Sequence, residues 1–267
     1  MTDTTAAAEP GKLDIAKVIS GTFAVIGRNF LPFAVLSLVL SGIPTALIAF
    51  IQVQSITADG EPSVSLGYLS SIAYTGLAAL ITGAVLQGAL VYGTVQDMNG
   101  TRPSIAECLA NGLRSFLPLI GLSILLGLAI VFGLMLLIVP GIMMACAWCV
   151  AVPALVADRS GVFGAFSRSA ELTRGNRWRI FALFVVVWVI AIVIGLVIGA
   201  ALGVVALTGA VGTDPAALAR SPVQIVGNLL SNTLTSMISS TGVAVLYVEL
   251  RRAREGLGPQ WLSEIFS

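Results

Sequence analysis

Residues 174–200 read RGNRWRIFALFVVVWVIAIVIGLVIGA. Arg174, Arg177 and Arg179 crowd the start, and from Ile180 to Ala200 no side chain is charged. At about 1.5 Å per residue a helix of that length covers the roughly 30 Å hydrocarbon core of a bilayer. The residues before it, 161–174, alternate apolar and polar positions at helical spacing. Such a segment, basic at its end and followed by a membrane-length apolar run, describes a helix lying on the bilayer surface that feeds a transmembrane span. The same order occurs three times along the chain.

Composition agrees. Hydrophobic residues make up 57% and charged residues 10%, whereas a soluble domain carries about a quarter charged residues. Six spans are predicted, near residues 30–53, 67–95, 116–139, 141–157, 180–208 and 222–248. Barrel strands would be shorter and alternating, so the fold class is an all-α membrane protein. Pro140-Gly141 separates the third and fourth spans as a tight turn. Residues 1–12 are small, polar and mildly acidic, with no basic region leading into an apolar one, and are expected to form a flexible cytoplasmic N-terminus. Residues 13–250 form the transmembrane domain, and 251–267 a cytoplasmic tail.

The fourteen Lys and Arg residues sort by side. Lys12, Lys17 and Arg28 precede the first span; Arg102 and Arg114 lie between the second and third; Arg159, Arg168, Arg174, Arg177 and Arg179 between the fourth and fifth; Arg251, Arg252 and Arg254 follow the sixth. Only Arg220 falls opposite, with Asp214; Asp59 and Glu61 occupy the other outer loop. Basic residues near span ends resist translocation, so both termini are expected in the cytoplasm. Trp178, Tyr68 and Tyr247 suit an interfacial aromatic belt. A net charge of +1 without a Lys/Arg-rich run argues against nucleic acid as a partner.

The repeat is written in the residues. Asn29 to Leu40 (NFLPFAVLSLVL) aligns with Ser115 to Leu126 (SFLPLIGLSILL), and the same offset pairs Arg28 with Arg114 and Ile19 with Ile105. In a weaker third copy Trp178 stands for Phe30 and the proline is missing. Each unit is a surface helix, near 13–28, 103–114 and 161–174, followed by a helical hairpin, a parallel repeat. The first surface helix carries Ile15, Ile19, Phe23 and Ile26 on one face; the second starts with a capping box from Ser104 and Glu107; the third carries Val162, Phe163, Phe166 and Ala170. These helices are expected either to lie among headgroups, with Arg168, Arg174, Arg177 and Arg179 toward anionic lipid or a cytoplasmic protein partner, or to pack on the bundle.

Inside the bilayer, small residues four apart mark packing faces. Gly195, Gly199 and Gly203 form such a ridge, as contacts within the chain or as the seam of a homo-oligomer; Ala84/Gly88 and Ala89/Gly93 do the same in the second span. The sixth span is polar on one side, through Asn228, Ser231, Asn232, Thr235, Ser236, Ser239 and Ser240. An unpaired amide facing lipid costs about 2 kcal/mol or more, so this side is expected to face other helices, with Gln87, Thr82 and Thr75 as hydrogen-bond partners, or a path for a solute. Ser221-Pro222-Val223-Gln224 reads as its cap.

Catalytic chemistry has few candidates here. The chain has no histidine, which removes the commonest general base and metal ligand, and no charged residue lies mid-span. Cys146-Ala-Trp-Cys149 has redox spacing, but it sits in an apolar run where thiols act as small apolar residues. No cofactor, metal or catalytic position is assigned.

Leu137-Ile-Val-Pro140-Gly141-Ile142, then Pro153, Gly161, Ala165, Ser167-Arg168-Ser169 and Leu172-Thr173-Arg174-Gly175-Asn176-Arg177-Trp178, resemble bacterial membrane proteins related to the glycerophosphoryl diester phosphodiesterase membrane domain, as does Tyr247-Val-Glu249-Leu250-Arg251. The resemblance implies a six-span helical domain. The family's soluble phosphodiesterase domain depends on histidine and carboxylates, and this chain has no counterpart of it. The expected function is therefore a non-enzymatic inner-membrane protein that organises lipid or a partner. The alternative is a carrier or channel for a lipid-like or small neutral solute that uses Asn228, Asn232, Thr235 and Ser239.

Overall fold

The computed structural model describes residues 13–45, 66–205 and 222–255, and these are helical throughout apart from short connections. Helix α1 spans Ile15–Arg28 and α2 Phe30–Ser37, the latter continuing into a π-helical turn, Leu38–Gly42. Then follow α3 (Leu66–Met98), α4 (Ile105–Leu136), α5 (Ile138–Trp148), α6 (Ala151–Asp158), α7 (Gly161–Thr173), α8 (Arg177–Val205) and α9 (Pro222–Glu255). Among the described residues five helices are long and apolar enough to cross a membrane, or six if the bent pair Ile15–Arg28 and Phe30–Thr45 counts as one. The chain is an all-α, multi-pass integral membrane protein.

In the first unit α1 meets the helix that follows at 89°. Asp14 caps α1 by accepting from the amides of Ala16 and Lys17. Asn29 makes the corner: its backbone leaves helical geometry (φ −119°, ψ 28°), and its buried side-chain amide donates to the Val25 carbonyl and to Asp97 Oδ1. The face of α1 turned to the bundle is Val18, Thr22, Val25 and Ile26, so the expected face is rotated and Phe23 stays half exposed.

The second unit departs. The surface helix expected near 103–114 does not separate from its span; α4 runs unbroken from Ile105 to Leu136 with Pro118 inside it. Proline removes one backbone hydrogen bond, the one that would reach the Arg114 carbonyl. The position equivalent to Asn29 is Ser115, whose shorter side chain cannot bridge to a neighbouring helix as Asn29 does. Close packing also holds the helix straight: a Cβ on Gly112 would lie 2.4 Å from the Val85 carbonyl oxygen, and one on Gly88 would lie 3.0 Å from the Gly112 Cα. The capping box at its start is present, with Glu107 N donating to Ser104 Oγ and Ser104 N to Glu107 Oε2.

The hairpin after α4 forms, but its turn is Leu137, which is extended (φ −162°), and Pro140 and Gly141 lie in the first turn of α5. A missing N–H costs nothing in that turn, and the glycine lets α5 lie against α4, since a Cβ on Gly141 would stand 2.7 Å from the Leu134 amide nitrogen. The fourth span then breaks after Cys149, at Val150 (φ −103°, ψ 17°). The Ala147 carbonyl is taken by Ser169 Oγ at 2.9 Å and Thr173 Oγ1 at 3.1 Å, so α7 closes the orphaned end of α5. Cys108, Cys146 and Cys149 are all unpaired thiols.

Helix α9 is the centre of the bundle, touching α1, α2, α3, α6, α7 and α8. It runs to Glu255, so Arg251, Arg252 and Arg254 belong to its last turns rather than to a tail. Its expected cap at Ser221, and the residues Arg220, Asp214, Asp59 and Glu61, lie outside the described residues, as do residues 1–12 and 256–267. Tyr247 is not an interfacial anchor: it is fully buried, whereas Trp178 is 71% exposed and fits the belt.

Helix α8 packs only near its start. Leu183, Phe184 and Val187 border a recess shared with α1 and α9. Beyond it the chain offers nothing within 4 Å of a Cβ added at Gly195, Gly199 or Gly203. That ridge therefore makes no contact within the described chain, while Gly88 and Gly112 mark the close crossing that small residues allow. Gly112→Ala is expected to lower stability by about 1–3 kcal/mol through overpacking. Gly199→Ala, with open space around it, should leave the thermal unfolding midpoint in detergent unchanged.

Candidate functional site

The charged residues gather where helices end. Asp158, the last residue of α6, accepts from the Tyr247 hydroxyl and Arg251 Nη1 on Oδ1, both at 2.9 Å, and from Arg168 Nε on Oδ2 at 3.3 Å. Glu255 accepts from Arg251 Nε at 2.8 Å and from Arg168 Nη2. Two arginines and two carboxylates thus form a closed set that joins α6, α7 and the end of α9. A second tie links the corner of unit one to the end of α3, Arg28 Nη2 meeting Asp97 Oδ2 at 2.5 Å. A third clasps the start of α1 to the start of α8: the Leu13 amide donates to Asn176 Oδ1 at 3.1 Å, and Arg179 Nη1 donates to the Leu13 carbonyl at 2.9 Å.

These bonds decide the fate of the four arginines singled out from sequence. Arg168 is an internal tie and only partly exposed. Arg179, though exposed overall, gives its Nη1 to the Leu13 carbonyl. Arg174 has an exposed side chain, and its own carbonyl receives Arg254; Arg177 is half buried, with Nε unsatisfied. Sequence reasoning missed Asn29, Asp97, Asp158, Asn176 and Glu255 as structural partners. For Asp97 and Asp158 a signal existed, since each carboxylate falls at the end of an apolar run opposite a surplus of arginine.

The polar face of α9 lines an open recess of about 390 Å³, bordered also by Ser41, Gln87 and Ser123. Asn232, Thr235 and Ser239 lie there, together with Ser236 and Ser240. The hydrogen bonds differ from those expected. Asn232 Nδ2 donates to the Asn228 carbonyl at 2.9 Å, Thr233 Oγ1 to Leu229, and Ser236 Oγ to Asn232, each one turn back on the same helix. Thr82 does likewise with Ala78. Among the described residues Gln87, Thr82 and Thr75 show no hydrogen bond to α9; for Thr82 the backbone carbonyl one turn away is the nearer acceptor.

Arg159, directly after Asp158, is the one non-glycine residue with positive φ among those described (φ 48°). An L-residue pays about 1–2 kcal/mol for that conformation. Gly100 (φ +83°) and Gly175 (φ +89°) turn the chain at comparable helix ends without that cost.

A family model described as "Uncharacterised protein family (UPF0259)" matches residues 49–213, more than half of the chain. The chain belongs to the UPF0259 family. A UPF0259 membrane protein from Pectobacterium carotovorum subsp. carotovorum (strain PC1) is 31% identical over 113 residues, which is 42% of this chain and 45% of the relative. The match thus spans under half of that relative's length. No solved structure matches. The family shown is UPF0259 and not the glycerophosphoryl diester phosphodiesterase membrane domain that the sequence resembles; Pro-Gly turns and arginines at helix ends recur wherever helices cross a membrane and do not separate such families. The coarser expectation, an integral membrane protein of a bacterial family, stands.

Asp158→Asn in this UPF0259 protein removes the charge from three hydrogen bonds at once. Charged hydrogen bonds contribute about 1.5–3 kcal/mol, so the variant should unfold at a clearly lower temperature in detergent, while Glu171→Gln, at an exposed pair (66% exposed), should not. Equal melting of wild type and Asp158→Asn would remove the cluster from its structural role.

Proposed function

We propose that this UPF0259 protein is a non-enzymatic organiser of anionic lipid in the bacterial inner membrane, its arginine-rich helix ends and both termini facing the cytoplasm. The observation that carries this reading is the arginine left over after the ties are made. Among the described residues Arg28, Arg168, Arg251 and Arg252 have carboxylate partners, while Arg102, Arg114, Arg159, Arg174 and Arg177 have none. Basic residues beside a bilayer attract anionic headgroups by about 1 kcal/mol each. The flanks support the setting: Leu128, Val131, Phe132, Met135, Trp188 and Leu196 are all exposed, a surface suited to lipid tails and not to water. The carboxylates at the same end are held by arginines, which favours a structural over a catalytic role.

Full-length protein in nanodiscs of phosphatidylcholine with phosphatidylglycerol, read by native mass spectrometry, tests the reading. Arg174→Gln/Arg177→Gln is expected to retain fewer phosphatidylglycerol molecules than wild type. Identical retention by this variant and by one lacking every unpaired arginine would overturn it. Accessibility of cysteines introduced beside Arg102 and Arg254, from the cytoplasmic side only, checks the orientation.

The polar recess beside α9 favours a second reading, a carrier for a lipid-like or small neutral solute. Its lining carries hydroxyls and amides, of which Gln87, Thr235 and Ser239 are exposed, in a segment otherwise suited to lipid. Asn232→Leu/Gln87→Leu should then abolish glycerol permeation into proteoliposomes with the melting temperature unchanged. A wild-type flux equal to that of empty vesicles would eliminate it.

A further inference from the structure

The repeat places two recesses at equivalent positions, and they differ in one chemical respect. The first is lined by Arg28, Asn29 and Pro32 of unit one, where the surface helix enters its span, and by Asp97, Arg102 and Pro103, where the hairpin returns. The second, about 310 Å³, is lined by Arg114, Ser115 and Pro118, the aligned residues of unit two, and by Leu155, Val156, Arg159 and Gly161, where that hairpin returns. Asn111 completes it. In the first recess Asp97 supplies an anion that neutralises Arg28. In the second there is no carboxylate in the lining. Asp158, the nearest in sequence, is turned to Tyr247, Arg168 and Arg251. The other arginine of the second recess is Arg159, as Arg102 is of the first, so the two recesses differ by the carboxylate. Neither Arg114 nor Arg159 forms an ion pair among the described residues.

We propose that the recess formed by Arg114, Arg159, Asn111 and Ser115 binds a phosphate group, occupying the place that a carboxylate of the protein fills in the first repeat. Two guanidinium groups match the oxygens of a phosphate and hold it better than single charges would. The Ser115 hydroxyl can add a donor. Ser160, the cap residue of α7, makes no side-chain bond to the amides of the first turn, so that helix start adds favourable field to a recess already basic.

Position and surroundings point to a phosphodiester of a lipid headgroup as the source. Arg114 lies about 33 Å along α4 from Leu136 at 1.5 Å per residue, close to the thickness of the hydrocarbon core, which sets it at headgroup level when Leu136 is at the other surface. Leu113, Leu117 and Phe163, neighbours of the recess on α4 and α7, are 52%, 69% and 80% exposed, as acyl chains beside the headgroup would require. The left-handed backbone of Arg159 supplies an independent mark. Glycine would be comfortable there, as at Gly100 and Gly175; an arginine held in that conformation is a cost that folding alone does not explain.

The site rests on the lipid-organising reading but is separable from it. Full-length wild type, Arg114→Gln/Arg159→Gln, Arg159→Gly and Arg174→Gln/Arg177→Gln are compared in nanodiscs of phosphatidylcholine with phosphatidylglycerol by native mass spectrometry. The wild type is expected to keep a tightly held phosphatidylglycerol that Arg114→Gln/Arg159→Gln and Arg159→Gly both lose. Arg159→Gly should at the same time melt at a higher temperature, because it relieves the backbone; a merely structural arginine would not trade stability for lipid in this way. Inorganic phosphate, titrated into protein stripped of lipid, distinguishes the source. Binding of phosphate that depends on both arginines, without retained lipid, supports the phosphate site and assigns it a soluble ligand. Unchanged retention of lipid and of phosphate in Arg114→Gln/Arg159→Gln overturns the site. If Arg174→Gln/Arg177→Gln still loses phosphatidylglycerol in that case, the broader reading survives; if it too is unchanged, both fall.

Discussion

Asp158 stands where a broken span ends, and its two oxygens receive the Tyr247 hydroxyl, Arg251 and Arg168. Two helices joined by the short Arg159-Ser160 link, α6 and α7, meet the remote α9 at that carboxylate. Burying a charge near the bilayer is costly unless it is paired and hydrogen-bonded, and here each partner is itself satisfied, since Glu255 accepts from both arginines. The set fixes the register of α9, the helix on which most of the bundle packs. The angle of α7 follows, because Ser169 and Thr173 must reach the Ala147 carbonyl. That bond in turn lets α5 end where it does.

The repeated units show how one local difference changes a whole segment. Asn29 and Ser115 are aligned, and so are Pro32 and Pro118. The proline does not decide the bend, since α4 carries it and stays continuous. Asn29 decides it, by taking the Val25 carbonyl and an Asp97 oxygen with one amide. Once Arg28 and Asn29 both engage Asp97, the corner is locked at three points. Unit two has no equivalent carboxylate facing its arginine, so nothing draws the helix over, and the tight passage of Gly112 across Val85 and Ala89 keeps it straight.

Much of this was legible from the residues. Hydropathy located the membrane-crossing helices to within a few residues for α3, α8 and the start of α9, and Ser104 with Glu107 announced the start of α4. Those signals are local: a period, a run length, a cap. What escaped depended on contacts between segments remote in sequence. The turn lies at Leu137 because Gly133 and Gly141 can approach, which no dipeptide rule encodes. Tyr247 looked like an anchor because its burial is set by Asp158, far away in the chain. Arg168 and Arg179 looked free because their acceptors, Glu255 and the Leu13 carbonyl, come from other elements. For the polar face of α9 the composition was read correctly and the partner wrongly, since a hydroxyl one turn from a carbonyl has no need of another helix.

That last point separates the two levels of the molecule. At the basic end, helices are joined by charged bonds that would have to break for them to move. Along the described lipid-level part of α9, Asn232, Thr233 and Ser236 donate to their own backbone, and the glycine ridge of α8 at Gly195, Gly199 and Gly203 faces open space. These three side chains, which could have served as glue between helices, therefore donate to their own helix instead. Separating α9 from its neighbours at the level of the recess costs packing but breaks none of these hydrogen bonds, whereas the same displacement near Asp158 strips two arginines of their partners. The bundle is joined by charged bonds where arginines accumulate and by packing where hydroxyls do.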